Sequence, residues 1–316
     1  MGKTPAIGFI GFGEAGFTIA RGLREAGVER LCAYDIATDS GDRGPQIRER
    51  AGISHTTLVT SSSEAVSASD ILFSTVTSSS SLEAAHQTTP FLGSRHIYAD
   101  LNSVSPARKR EIADVVRASG AGFVEAAVMA PVQPYGHRVP MLLGGDASSR
   151  FIEAMAPFGM RLTDLHADVG TAAAVKMCRS IVVKGLEALL AECVLAAVPH
   201  QADGHVFASL TESFPGIDWK RLADYTIGRV VVHGERRARE MEEVAETLRA
   251  IGVDPIMAEA TARRQDWSAK LRLRSRFGPE GPRTYAEVLE VLRESITHRG
   301  TEVTEDRKES DQPGFE

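Results

Sequence analysis

In the first half of the chain, apolar positions come in short runs separated by helix-patterned segments. Ala6-Ile7-Gly8-Phe9-Ile10, Leu31-Cys32-Ala33-Tyr34, and the stretches 70–76, 96–100, 122–128 and 140–144 read as buried strands. Between them lie segments with helix signals. Ala15 to Gly27 is helix-like, and 45–52 ends on a glycine. Ser61-Ser62-Ser63-Glu64 has capping-box spacing. The serines at 78–81 lead a helix through Ala84-Ala85. Pro106 opens another that ends at Gly120. Strands alternating with helices predict βαβ units: an α/β fold with a mostly parallel, doubly wound Rossmann sheet. Near Asp168 the texture changes. Residues 171–198 are almost unbroken helix formers, ending before Pro199, and that is more than a crossover requires. Helical patterning returns over 219–251 and 257–272, and strand signals become scarce. The chain therefore divides into a Rossmann domain over 1–167 and an all-helical domain over 168–300 that begins with a long interdomain helix. An acidic, apolar-poor tail over 301–316 is expected to be disordered.

The first strand runs straight into Gly11-Phe12-Gly13-Glu14-Ala15-Gly16, which opens the first helix, and Asp35 closes the second strand. A lone G-x-G-x-x-G says little, but here it stands in the setting that a dinucleotide fingerprint requires. Gly11 permits the tight turn, Gly13 lets backbone approach a pyrophosphate, and Gly16 lets the helix pack close to the sheet. The free N–H groups of the helix start favour the phosphates. Asp35 suits ribose hydroxyls and would repel a 2′-phosphate, with no Arg or Lys immediately after it, so NAD is expected over NADP. Val76, Thr77 and Ser78, after the fourth strand, are expected to wall the cofactor.

Composition narrows the classes. Of 316 residues, 43% are hydrophobic and 25% charged, which fits a globular protein that needs no covalent staples. A net charge of −6 argues against a nucleic-acid or anionic-membrane partner. There is no room for a signal peptide before the first strand and no apolar stretch of membrane-spanning length, so a cytoplasmic protein is expected. Cys32, Cys178 and Cys193 are widely spaced in apolar runs. They read as reduced core residues without metal-ligand spacing, and no metal is expected. A helical domain apolar on several faces predicts a homodimer or larger homo-oligomer.

Two further segments carry candidate chemistry. Asp100-Leu101-Asn102-Ser103-Val104-Ser105-Pro106 follows a strand, at the sheet edge where ligands of open α/β sheets bind. Asn102 offers an amide donor and Ser103 a hydroxyl, both able to hold a carboxylate without adding charge. Ser105 before Pro106 is a good helix cap, which explains that residue without a ligand. Lys176 lies early in the long helix among small and apolar neighbours, with Ser180 one turn on. Desolvation on such a face would favour the neutral amine that acid/base work needs. A single helical lysine is equally a snorkelling surface residue. Arg179 is a second candidate, an anion clamp. His233, Arg236, Arg237 and Arg239 fit either a solvated, salt-bridged face with Glu235, Glu240 and Glu242 or a reach toward an anionic substrate.

These segments, in this order, resemble the β-hydroxyacid dehydrogenase superfamily, over about the first 200 residues. The glycine turn at the N-terminus, the Asp100–Pro106 loop in place of the family's Asp-x-Ser-Thr-x-x-Pro, and Gly170–Ser180 in place of its glycine turn and Lys-x-x-x-Asn carry the likeness. The resemblance implies Lys176 as catalytic acid/base, a small-molecule carboxylate substrate held by Asn102 and Ser103, and reversible NAD-dependent oxidation of a 3-hydroxy acid. Ser180 would orient Lys176 or bind substrate. Departures fall at the family's second substrate segment, where Met129-Ala130-Pro131 replaces Ser-Gly-Gly, and at Ser180, which replaces its Asn. Met129 is thus expected to reshape the substrate pocket. The 225–241 run resembles a less-characterised branch described as phosphogluconate-dehydrogenase-like. Two other readings keep the fold: an imine or enamine reductase, which would not need a lysine base, and a non-catalytic NAD-binding protein.

Overall fold

A computed structural model of the protein describes residues 4–278 and 280–293. The acidic tail expected over 301–316 lies outside them. The chain forms two compact units, Met1–Met177 and Cys178–Glu316.

In the first unit the strands are β1 (Ile7–Ile10), β2 (Leu31–Tyr34), β3 (Thr57–Leu58), β4 (Ile71–Ser74), β5 (Ile97–Asp100), β6 (Gly122–Val128), β7 (Met141–Gly144) and β8 (Leu162–Asp164). They make one eight-stranded sheet, ordered β3-β2-β1-β4-β5-β6-β7-β8. The helices are α1 (Glu14–Glu25), α2 (Gly44–Ile53), α3 (Ser62–Ser67), α4 (Ser81–Thr88), α5 (Pro106–Arg117), the single turn α6 (Val132–Tyr135) and α7 (Ser148–Met155). Side chains alternate between the two faces, as the pleat requires. Ile7, Phe9, Ile71, Phe73 and Ile97 belong to one apolar cluster, and Ile10, Leu72, Tyr98 and Phe123 to the other. Both faces are covered, which is what a parallel sheet needs.

Strands β3 to β6 run parallel with β1. Strand β7 departs from the expected βαβ rhythm and pairs antiparallel with β6, Val128 opposite Met141. The segment between them holds only the short α6 and one 3-10 turn, too little helix to carry a parallel crossover. The strands β3 and β8 are two and three residues long, below the length at which alternation can show.

Local signals account for several helix starts. The Ser61 hydroxyl accepts the Glu64 N–H, and the Glu64 carboxylate returns to the Thr60 N–H at 2.9 Å, one residue earlier than a standard capping box. The Ser105 hydroxyl accepts the Arg108 N–H at 3.2 Å, with Pro106 at the first helical position.

Helix α8 (Thr171–Ala197) starts in the first unit and ends in the second. The second unit adds α9 (Asp203–Ser213), α10 (Trp219–Ala250) and α11 (Ile256–Lys270), and residues 285–293 are helical. Leu190, Val194, Phe207, Trp219, Ile227 and Tyr285 share its core. Gly234 lets α10 and α11 approach closely, because a Cβ there would lie 2.6 Å from the Gln265 carbonyl oxygen. No helix among the described residues is long and apolar enough to cross a membrane. Cys32 is buried, but Cys178 is exposed and Cys193 half-buried, so the expectation of three core cysteines fails at α8. The apolar run there wraps all round the helix, and part of it faces outward.

One ion pair lies deep in the first unit. Lys109 Nζ donates to Asp100 Oδ2 and to the Asp100 carbonyl, each at 2.9 Å, and both side chains are essentially buried. Removing one partner strands a buried charge, at a cost of about 3–5 kcal/mol. Lys109→Met is therefore expected to lower the unfolding free energy by that amount, read as a lower denaturant midpoint at an unchanged slope. A loss below about 1 kcal/mol would show that the pair is solvated.

Candidate functional site

Strand order reverses at β1, which lies between β2 and β4. In open α/β sheets, ligands bind outside the carboxyl ends of the strands at that point. Gly11 has φ +86°, and a Cβ there would lie 2.9 Å from the Thr75 carbonyl oxygen. Gly16 would put a Cβ 2.7 Å from Thr75 Oγ1, which itself donates to the Gly11 carbonyl at 2.7 Å. Both positions exclude a side chain. Gly13 is different, because nothing lies within 4 Å of where its Cβ would be. It begins α1 with no side-chain cap, so the first N–H groups of the helix keep their bonding capacity. An open glycine before an uncapped helix start fits a pyrophosphate.

Phe12 contributes no side chain to this surface. Its ring is fully buried, 5.8 Å from that of Phe9. Its N–H donates to Asp35 Oδ2 at 2.7 Å, and Ala37 N–H donates to Asp35 Oδ1 at 2.8 Å. Phe12 braces Asp35 through its backbone N–H. Glu14 is exposed and Ala15 half-buried at the start of α1. Past β4, Val76 is half-buried while Thr77 and Ser78 are exposed, and Thr77 Oγ1 lies 2.9 Å from Ser80 Oγ.

The loop after β5 is braced from beneath. Asp100 Oδ1 accepts the Asn102 backbone N–H at 3.0 Å and Asn102 Nδ2 at 2.5 Å, and Nδ2 also donates to Ser74 Oγ at 2.9 Å. Asn102 is only 5% exposed. Its amide donors are thus committed inside the fold, which corrects the expectation that they hold a substrate carboxylate. Its buried Oδ1 has no hydrogen-bond partner. Ser103, the next residue, is exposed.

Helix α8 brings Lys176 to this loop. Lys176 Nζ donates to Ser103 Oγ at 2.5 Å. The start of α8 is held by Glu125, on β6, whose side chain is fully buried. Glu125 Oε2 accepts the Gly170 N–H at 2.7 Å and Oε1 accepts the Ala173 N–H at 2.6 Å. A carboxylate at a helix N-terminus forms strong charge-assisted bonds. Gly170, at φ +102°, makes the turn into the helix. Lys176 is half-buried and meets a hydroxyl. Sequence reasoning had passed over Glu125. A lone acidic residue inside an otherwise apolar strand was the available signal.

Met129 ends the β6 segment half-buried, its N–H donating to the Pro140 carbonyl at 2.9 Å. Ser103 and Lys176 thus meet within the first unit, with Glu125 holding the turn that leads to Lys176. Arg179 and Ser180 belong to the second unit, the one exposed and the other half-buried.

In the second unit the stripe on α10 is partly internal. Arg237, 4% exposed, pairs with the buried Glu187 of α8. Glu187 also meets Arg229 Nε at 3.5 Å and Gln265 Nε2 at 3.3 Å. Lys184 Nζ bonds Glu240 Oε2 at 2.8 Å, and Arg236 pairs with the same carboxylate. Burial, then the positive charges of Arg236, Arg229 and Arg237, push the His233 imidazole down to about 4, against a smaller upward pull from Glu240. The solvated-face expectation holds for Arg239 and Glu235, which are exposed. It fails for Arg237.

Two outcomes follow. Glu125→Gln keeps the shape but sets an amide N–H against one of the two helix N–H groups. It is expected to cost about 1–3 kcal/mol and to speed hydrogen exchange at Gly170 and Ala173; unchanged protection of both amides would contradict the clamp. For His233, the folded value lies below the unfolded reference of about 6.5, so the unfolded chain takes up the proton first. The stability due to neutral His233 is present above pH 6.5 or so and is lost as pH falls toward about 4. His233→Gln should flatten the denaturation midpoint over that window relative to wild type, and parallel profiles would contradict the shift.

Comparison with known proteins agrees with this geometry. Residues 6–157 match the family described as the NAD-binding domain of 6-phosphogluconate dehydrogenase, and residues 201–268 match a domain of unknown function, DUF1932. The chain is similar to a conserved hypothetical protein from Sinorhizobium meliloti 1021, with 34% identity, coverage of 85% of this chain and 89% of that one, and a TM-score of 0.73. It is similar to the conserved protein MTH1747, described as of unknown function with structural similarity to 3-hydroxyacid dehydrogenases, at 29% identity over 85% of this chain and 98% of that one, with a TM-score of 0.71. It is 25% identical to the mitochondrial 3-hydroxyisobutyrate dehydrogenase of Drosophila melanogaster, over 69% of this chain and 66% of that protein. The chain belongs to the β-hydroxyacid dehydrogenase superfamily, with a domain that binds a nicotinamide dinucleotide.

Proposed function

We propose that the protein is an NAD-dependent oxidoreductase that interconverts a 3-hydroxy acid and its 3-oxo acid, with Lys176 as general acid/base. The observation that carries this reading is the 2.5 Å bond from Lys176 Nζ to Ser103 Oγ at the carboxyl edge of the sheet. An amine and a hydroxyl at this spacing can address the two ends of a short hydroxy acid. Ser103 accepts the Lys176 proton with its oxygen, which leaves its own hydroxyl hydrogen to donate to a substrate carboxylate. The Lys176 amine takes the proton of the substrate hydroxyl during oxidation, and its ammonium returns a proton to the carbonyl oxygen in the reverse direction. A nicotinamide dinucleotide supplies the hydride acceptor or donor when bound. Asn102 contributes by holding the loop in place, and Glu125 by holding the helix. Met129, at the end of β6, is the side chain on this edge that differs most from the family pattern, and we assign it to substrate selection.

For the nucleotide, Gly11, Gly13 and the N–H groups of Glu14, Ala15 and Gly16 are assigned to the pyrophosphate. Asp35 has two accepted bonds and keeps lone pairs for ribose hydroxyls. A 2′-phosphate would bring negative charge against this carboxylate, and Ile36-Ala37-Thr38-Asp39 offers no cation to balance it. The reading is therefore NAD over NADP.

Two measurements test it. In a screen of 3-hydroxy acids for NAD reduction, Lys176→Ala is expected to retain NAD binding by calorimetry and to lose about 10²–10⁴-fold in turnover. A folded Lys176→Ala protein of near-normal rate would refute the lysine's role. Asp35→Ser is expected to weaken NAD binding and narrow the preference over NADP. A preference for NADP in the wild type would refute the cofactor assignment.

A further inference from the structure

We propose that the second unit carries an anion site centred on His233 of α10, built to take a small oxyanion such as a phosphate or carboxylate group. The proposal does not rest on the reaction assigned above.

Its basis is a local charge imbalance. Each of two carboxylates is shared between two cations. Glu187 meets Arg237 and Arg229, and Glu240 meets Lys184 and Arg236. Four cations against two carboxylates leave a surplus of two positive charges. Glu187, Arg237 and Lys184 are each under a tenth exposed and Arg229 is largely buried, so part of this surplus lies away from bulk water, while Arg236 meets solvent. An unbalanced charge is costly there and attracts a counter-charge more strongly than at the surface.

Exposure is graded across the cluster. Glu187 and Arg237 lie deep, while Arg236 is exposed and His233 half-buried. On the helix, His233 is one turn from Arg229, Arg236 and Arg237, so all four share a stripe. Its imidazole is neutral at physiological pH and offers one N–H donor without adding charge. Guanidinium forks match the oxygens of carboxylate and phosphate, which favours oxyanions over chloride. The buried end also carries one unmet donor: Arg237 Nε is buried without a partner. Such groups are normally satisfied by protein, water or ligand.

The test follows the His233 side-chain NMR resonances, identified by their loss in His233→Gln. The full-length protein is titrated with inorganic phosphate, with acetate in a parallel arm, and with chloride at matched ionic strength as control. Saturating NAD is present, so that phosphate does not report through the glycine turn. The expected result is a saturable His233 shift with phosphate, acetate or both, and none with chloride; the tighter arm identifies the oxyanion. Arg229→Gln leaves Arg237 on Glu187, Arg236→Gln leaves Lys184 on Glu240, and each should weaken binding about tenfold or more. Arg236 is on the surface, so its variant tests the site even if Arg229→Gln fails to fold. An unmoved His233, an equal shift with chloride, or undiminished binding in Arg236→Gln would overturn the proposal and leave a purely structural ion network.

Discussion

The first turn of α8 hangs from the carboxylate of Glu125, and the placement of Lys176 depends on that grip. Both oxygens are used, one on Gly170 N–H and one on Ala173 N–H, so the helix start is fixed in position and in rotation. A carboxylate buried at the middle of a sheet is tolerated because the N–H groups of a helix start offer bonds and positive potential together. A helix held at one end by two short bonds carries a lysine one turn later to a predictable point. That point is the hydroxyl of Ser103.

The partner loop is fixed by equally local physics. Lys109 pins Asp100, Asp100 pins Asn102, and Asn102 reaches Ser74 on the adjacent strand. The buried network uses up the donors of Asn102 and leaves Ser103, the next residue, outside and available. Two neighbouring polar residues thus divide the work: one holds the loop in shape and the other faces solvent. The strand-end glycines do the same for the nucleotide side. Gly11 and Gly16 are needed for packing, while Gly13 alone is needed for space.

Much of this was legible in the residues. The β1–α1 glycine turn, Asp35, the Ser105-Pro106 helix start and the length of α8 follow from local backbone and capping preferences, which leave a mark at fixed spacing. What escaped reading depends on distant partners. Glu125 and Gly170 are far apart in the chain, and nothing near Glu125 announces the helix it will cap. The antiparallel β7 reflects the path the chain takes back across the sheet edge. Two buried charges were nonetheless within reach. Lys109 falls on the stripe of Ile112, Ala113 and Val116, and Arg237 on that of Gly234, Ala238 and Met241. Surrounding runs of charge obscured both stripes, so that a helix-face count, rather than composition, was the signal to follow.

The central claim is that the Lys176 amine carries the proton at the substrate oxygen. Chemical rescue of Lys176→Ala by small primary amines probes it most directly, because the cavity left by the side chain can admit a free amine. The account predicts that added amines restore hydroxy-acid oxidation, with rates that rise with amine basicity. Recovery that is absent, or that is indifferent to basicity, would contradict it.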